Sequence, residues 1–256
     1  MDGDPRRAEV AAEARPLAVV TGASAGIGEA IARRLAAEGF RLLLGARREE
    51  PIHRIAAELG AKGSVLDVSD EGSVAAFCAQ ADGAQVLINN AGGARGADSV
   101  AEADSAQWHW MWEVNVLGLM QVTRALLPAL ERSGRGHIVN ISSTAGLEVY
   151  EGGAGYTGAK HAVHAISQTL RLELSGRPIR ITEVSPGMVQ TDFALNRLGG
   201  DPDRAAAVYR GVTALTAADV ADVVAFAVTR PDHVNLDQIV MRPVQQASAY
   251  KTTCRD

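Results

Sequence analysis

Cysteine and aromatic residues are scarce in this chain: 256 residues include two cysteines, Cys78 and Cys254, and an aromatic share of 4%. The cysteines stand far apart without metal-ligand spacing, which points to a reducing cytoplasm and away from a cysteine-built metal site. With few aromatics in a chain that is 47% hydrophobic, the core must be made mainly of Ala, Val, Leu and Ile. That composition suits a parallel sheet covered by alanine-rich helices. No apolar run approaches the roughly 18 residues of a membrane span, and no secretory pattern opens the chain. Positive charge is also in the minority, with 25 Lys and Arg against 30 Asp and Glu, so there is no electrostatic footprint for nucleic acid. The six histidines are scattered and read as structural or surface groups; His161 lies about 100° round a helix from its neighbour Lys160. No metal is expected.

The length allows one large α/β domain or two small ones, and the lack of any linker or internal repeat favours one, residues 16–256. Met1 to Arg15 is charged, alanine-rich and aperiodic, and reads as a mobile tail. Beyond it strand and helix patterns alternate. Leu17 to Thr21 is a short apolar strand, followed by Thr21-Gly-Ala-Ser-Ala-Gly-Ile-Gly28 and a helical pattern to Glu38. Glycines at 22, 26 and 28 let backbone N–H groups and a helix N-terminus approach a pyrophosphate, although their spacing departs from G-x-G-x-x-G. Arg41 to Gly45 is the second strand, and Ala46-Arg47-Arg48 follows it where an acid would bind a ribose 2′-OH. Arginine at this place accommodates a 2′-phosphate, so NADP is the expected cofactor.

A helix over 50–59 leads to a third strand, Gly63 to Asp67. Asp67 could accept from an adenine amino group or cap the helix beginning near Asp70; the sequence leaves both open. Gln85 to Gly92 is a buried strand running into Asn89 and Asn90, with Asn89 read as structural and Asn90 as part of a site at the strand's carboxyl end. One long helical region over 105–132 carries Trp108, Trp110 and Trp112, read as core or subunit packing. It also carries Asn115, whose buried amide needs a helix kink or a bound water for partners. A fifth strand, Gly136 to Ser143, delivers Ser143 to the same crevice, and Pro178 to Val184 is the sixth. The segment 193–211 has the composition of a mobile lid. Thr216-Ala-Ala-Asp219 opens the last helix as a capping box, before a seventh strand at 237–241.

Tyr156 and Lys160 lie four apart on a predicted helix and so share a face. A tyrosine ionises near pH 10, and bringing it to neutrality requires roughly 4 kcal/mol of preference for phenolate. An ammonium beside it supplies part of that preference, making Tyr156 a candidate general acid/base.

Taken together, Thr21-Gly-x-x-x-Gly26-x-Gly28, Asn89-Asn-Ala-Gly92, Asn115, Ser143, Tyr156-x-x-x-Lys160 and Pro186-Gly187 resemble the short-chain dehydrogenase/reductase family over about residues 16–245. The tail from Thr213 to Pro243 is similar to the branch of NADP-dependent serine and 3-hydroxy acid dehydrogenases and clavulanate-type reductases. The resemblance implies a single-domain Rossmann-type fold: a doubly wound parallel sheet of about seven strands, order 3-2-1-4-5-6-7, with helices on both faces. It implies that Ser143 orients the substrate oxygen, Tyr156 transfers the proton, Lys160 binds the nicotinamide ribose and lowers the tyrosine pKa, and Asn115 holds a relay water. The expected cofactor contacts are Gly22, Ser24, Gly26, Ile27, Gly28, Arg47, Arg48, Asp67, Val68, Asn90, Ala91, Gly92, Tyr156, Lys160, Pro186, Gly187, Val189 and Thr191. Leu147, Val149, Tyr150, Met188 and Phe193 are candidates for lining a substrate pocket. Gly158 departs from the alanine or serine common between the paired Tyr and Lys.

The activity expected is reversible hydride transfer between NADP(H) and a secondary alcohol, a 3-hydroxy acid or related small hydroxy compound, and its ketone. The rival expectation is a non-catalytic NADP-binding regulatory protein of the same fold. A homo-oligomer, a tetramer by the resemblance, is expected from the tryptophan-bearing helix and the small-residue face formed by Ala159, Ala162 and Ala165.

Overall fold

The computed structural model describes residues 15–253, so most of the expected N-terminal tail, and Cys254, lie outside it. Seven strands form one parallel sheet: β1 (Leu17–Thr21), β2 (Arg41–Ala46), β3 (Lys62–Val65), β4 (Ala84–Asn89), β5 (Gly136–Ile141), β6 (Ile179–Pro186) and β7 (Gln238–Met241). Their order is β3-β2-β1-β4-β5-β6-β7, as expected. Every residue of β1 and β5 is buried, because both faces are covered; this is why those segments read as apolar runs and do not alternate.

One face is covered by α1 (Gly26–Ala37), α2 (Glu49–Leu59) and, near the far end of the chain, α9 (Ala217–Val228). Ile31, Leu35, Ile52, Ile55, Val220 and Val224 pack there against Val20, Leu44 and Val184. The other face carries α3 (Glu71–Cys78), α5 (Gly118–Arg132) and α6 (Ala154–Glu173), with Phe77, Val122, Leu126 and Leu130 against Val19, Leu87 and Ile138. Thr216 and Asp219 form the expected capping box at the start of α9.

Several boundaries differ from the sequence reading for identifiable reasons. β3 ends at Val65, so Asp67 follows the strand. Asp70 is the N-cap of α3, accepting from the Ser73 N–H, while Asp67 accepts from the Ser69 N–H and hydroxyl. The region 105–132 is α4 (Ser105–Trp112), a π-helical turn over Glu113–Leu117, and α5. Ser143 lies beyond the end of β5, where it caps a short 3₁₀ turn over Thr144–Gly146. The expected lid segment contains two short helices, α7 (Phe193–Arg197) and α8 (Pro202–Val208), and the Tyr209 hydroxyl ties it down by donating to the Val189 carbonyl at 2.9 Å.

A layer of buried amides joins the sheet to its helices. The Asn89 side-chain amide donates to Thr123 of α5 and to the Asn140 carbonyl oxygen of β5, each at 2.9 Å. Asn140 in turn donates to Ser167 of α6 at 2.9 Å. Asn89→Ala leaves two buried acceptors without their donor, and is expected to cost about 1–3 kcal/mol. The check is a lower urea midpoint at unchanged slope.

Candidate active site

The carboxyl ends of the strands open into a cleft of about 810 Å³. Its floor at one end is the turn between β1 and α1. Gly22 has φ +68°, and a Cβ there would lie 2.9 Å from the Ala91 Cα; a Cβ on Gly28 would lie 2.3 Å from the Gly22 carbonyl oxygen. Only glycine lets the turn fold this tightly against the end of β4. The Asn90 amide closes the junction by donating to the Thr21 and Gly22 carbonyls at 3.0 and 3.2 Å. Ala25 is the N-cap of α1 and offers no side-chain cap, so N–H groups of the first turn remain for an anion. A dinucleotide's pyrophosphate fits this cradle.

The arginines after β2 divide into two roles. Arg48 donates to the Ser24 hydroxyl and carbonyl at 3.1–3.3 Å, bracing the glycine turn. Arg47 extends along the cleft, its guanidinium 6.0 Å from the Trp110 ring centre. Asp67 and Val68 line the cleft beside them. Burial pulls the Asp67 carboxyl upward, but the Ser69 hydrogen bonds and the Arg47 charge outweigh it and leave its pKa below the ordinary value.

At the other end stand Ser143, Tyr156 and Lys160; Pro186 and Val189 also line the cleft, and Thr191 stands over Gly26 of the glycine turn. Tyr156 and Lys160 occupy successive turns of α6, both buried, with the Lys160 Nζ 5.8 Å from the tyrosine ring centre. That nitrogen donates to the Ile141 carbonyl at the end of β5 at 3.0 Å. The Ser143 hydroxyl accepts from the Ala145 N–H at 3.1 Å, and Phe193 packs on Tyr156 with ring centres 5.4 Å apart.

The electrostatics differ from the sequence expectation. Burial, followed by the neighbouring Tyr150, pushes the Tyr156 phenol above its ordinary pKa, and the Ser143 hydroxyl and Arg197 only partly offset this. Lys160 is not among the groups that lower it. The phenol is thus held in its protonated form. Burial also brings the Lys160 ammonium down to about 8, with Glu183 opposing the fall.

Two expected site residues lie off the cleft surface. Asn115 is buried in the π-helical turn behind Gly93; it accepts from the Gly93 N–H at 3.2 Å and donates to the Met111 and Gly93 carbonyls at 2.7 and 2.8 Å. Its partners are therefore one carbonyl of the preceding helical turn and both backbone groups of Gly93 in the loop after β4. Gly187 packs against Gln246 and donates its N–H to the Met241 carbonyl at 2.7 Å. The remaining expected cofactor contacts, Gly22, Ser24, Gly26, Ile27, Gly28, Asn90, Ala91 and Gly92 among them, all line the cleft. Of the substrate-pocket candidates, Phe193 lines it, Val149 points to solvent at 65% exposure, and Tyr150 accepts a hydrogen bond from Arg197 at 2.7 Å. Trp110 belongs to the cleft wall and not to the core alone. Arg95 and Asn196 also line it, and no spacing in the sequence marks either.

Lys160 gives a pH-dependent test. Its proton leaves the folded protein near pH 8 and the unfolded chain in the ordinary lysine range, so between those limits the unfolded state binds more protons and stability rises with pH. Lys160→Met is expected to remove that rise and to gain about 1–3 kcal/mol at pH 7, where the wild type keeps a buried charge. Urea denaturation at pH 7 and 9.5 reads both effects.

The comparisons with known proteins agree with this geometry. The family model described as short chain dehydrogenase matches residues 16–199. An uncharacterised oxidoreductase of Mycobacterium tuberculosis is 57% identical over 235 residues, covering 92% of this chain and 94% of its own. The NADP-dependent 3-hydroxy acid dehydrogenase of Salmonella typhi is 39% identical over 240 residues, covering 91% and 97%. A closed form of serine dehydrogenase complexed with NADP+ superposes with a TM-score of 0.89 at 36% identity, over 94% of this chain and all of that one. The chain belongs to the short-chain dehydrogenase/reductase family of oxidoreductases.

Proposed function

We propose that the protein interconverts a secondary alcohol, a 3-hydroxy acid or related small hydroxy compound, and its ketone with NADP(H) as cofactor. The observation that carries this reading is the sharing of one cleft by a Ser143–Tyr156–Lys160 cluster and, at its other end, a glycine cradle flanked by Arg47 and Arg48. When bound, the cofactor's nicotinamide supplies or accepts the hydride. In the reducing direction the protonated Tyr156 phenol donates to the substrate oxygen, and Ser143 offers a second hydroxyl toward the charge developing there. Lys160, fixed on the Ile141 carbonyl one helical turn from Tyr156, has its ammonium at the same end of the cleft and would hold the ribose next to the nicotinamide. Arg47 has its in-plane N–H donors available for a 2′-phosphate, which two parallel charge-assisted hydrogen bonds suit. Substrate relatives point the same way: the 3-hydroxy acid dehydrogenase and the serine dehydrogenase both share the whole domain with this chain.

The catalytic domain is taken as residues 16–256, preceded by the short tail, and its place as the cytoplasm. A homotetramer fits the surface, because Trp108, Trp112, Leu117 and Met120 of the α4–α5 region and Leu172 of α6 are exposed. Ala159 does not contribute, since it is buried within the protomer. Sedimentation at micromolar concentration should show the assembly, and a monomer alone refutes it.

Tyr156→Phe is expected to lower turnover at least about a hundredfold, the scale of general acid catalysis, while NADPH binding survives. NADPH oxidation across ketones, 3-oxo acids and β-ketoesters identifies the substrate class and provides the assay. Wild-type turnover in the phenylalanine variant rules out the mechanism. NADPH should outperform NADH by about 1–3 kcal/mol in kcat/KM, the worth of hydrogen bonds to a charged group. Ala46→Asp with Arg47→Ala should move that preference toward NADH, and equal use of both cofactors by the unmodified protein contradicts it.

A further inference from the structure

We propose that Arg95, seated on the Trp110 indole that Arg47 also approaches, is a second phosphate-binding cation for the 2′-phosphate beside Arg47. The inference rests on the NADP reading above and assigns to it a residue outside the glycine turn and the end of β2.

Arg95 lies just after the Asn89-to-Gly93 segment, and Trp110 on α4 packs against that segment, with Gly93 close to its ring. The Arg95 guanidinium lies 3.9 Å from the centre of the Trp110 ring, and Arg47 approaches the same indole at 6.0 Å. The two guanidiniums are therefore at most about 10 Å apart, about one screening length at 0.1 M salt. Among the described residues neither makes an ion pair or a hydrogen bond. Asp67 is the carboxylate whose ionisation responds to Arg47, and it forms no ion pair with it. Stacking on an indole occupies the face of a guanidinium and leaves its five in-plane N–H donors unused.

Two exposed cations held near one aromatic ring, neither of them in an ion pair among the described residues, form half of an anion site. Arg47 extends from the end of β2, the place where a 2′-phosphate is met in this type of fold, so an anion on Arg47 comes within reach of Arg95. A dianionic phosphate monoester carries enough charge and acceptor oxygens to engage two guanidiniums at once. Trp110 fixes the position of Arg95 by restricting a long side chain that solvent would otherwise leave free.

The test is equilibrium binding, read by calorimetry and by tryptophan fluorescence, with adenosine 2′,5′-bisphosphate and adenosine 5′-monophosphate as probes. In the wild type the bisphosphate should bind more tightly. Arg95→Met, a change at an exposed position, should weaken the bisphosphate by about tenfold or more, the scale of a charge-assisted hydrogen bond, and leave the monophosphate nearly unchanged. It should also reduce the salt dependence of bisphosphate binding. Trp110→Leu should weaken the bisphosphate as well, and should add little when combined with Arg95→Met, because the ring acts through the arginine. An equal loss for both probes, or no loss, overturns the proposal; so does a rise in KM for an acidic substrate at unchanged bisphosphate affinity, which assigns Arg95 to the substrate. If the wild type does not distinguish the probes, the NADP reading itself fails.

Discussion

The hydrogen bond between Asn89 and Asn140 fixes the geometry on which the site depends. These amides sit on neighbouring parallel strands in register, and each is also tied to a helix on the same face, α5 through Thr123 and α6 through Ser167. An unpartnered buried amide is costly, so the two strands and two helices can settle in few relative positions. Ser143 extends from the end of β5, while Tyr156 and Lys160 stand on α6. Their spacing is therefore set by polar contacts several residues below them. A wholly apolar seam would hold α6 through packing alone, which tolerates sliding more readily than a set of directional hydrogen bonds does.

Burial of Lys160 and Tyr156 shows what this framework must support. The ammonium has one hydrogen bond, to Ile141, and a more distant charge, Glu183, to favour it. Glu183 is itself fully buried and pairs with His164 at 2.8 Å, one helical turn beyond Lys160. A residue sequence of phenol, ammonium and imidazole thus runs along one side of α6 and meets a carboxylate from β6. The ordering counters the usual preference for an apolar helix–sheet seam, and its cost in stability is consistent with a functional site. The high pKa of Tyr156 follows from the same desolvation.

Much of the fold was legible because the physics was local. Apolar runs ending in glycine or amide residues marked the parallel strands, and the order of the sheet followed from the resemblance. The amphipathic helices and the Thr216–Asp219 capping box were also recoverable from spacing. What escaped the sequence depended on distant partners. Asp67 turned inward to Ser69 because Asp70 was available as the α3 cap, a competition between two acids that composition cannot decide. The segment 193–211 looked mobile, yet Arg197 bonds to Gly96, 101 residues away, and to Tyr150 and Gly152, 47 and 45 residues away. Trp110 was read as packing because a tryptophan in a helical pattern carries no mark of facing a cleft.

Asn115 unites these lines of reasoning. A buried amide in an otherwise apolar helix would be short of acceptors if every backbone carbonyl remained in regular α-helical bonds. The π-helical turn over Glu113–Leu117 shifts that bonding, and the Asn115 amide reaches the Met111 carbonyl in the turn before it and the Gly93 carbonyl across the seam. π-turns of this kind collect at functional sites. Here the distortion clamps the loop after β4 to the α4–α5 region, at the position where Arg95 leaves that loop and Trp110 leaves α4. One polar residue thereby fixes both the backbone wall beside Lys160, where Gly92 approaches the Asn115 oxygen and the Lys160 nitrogen, and the aromatic wall that Arg47 approaches. The reactive end and the phosphate end of the cleft are consequently held in a common frame, although the residues that form them come from different strands.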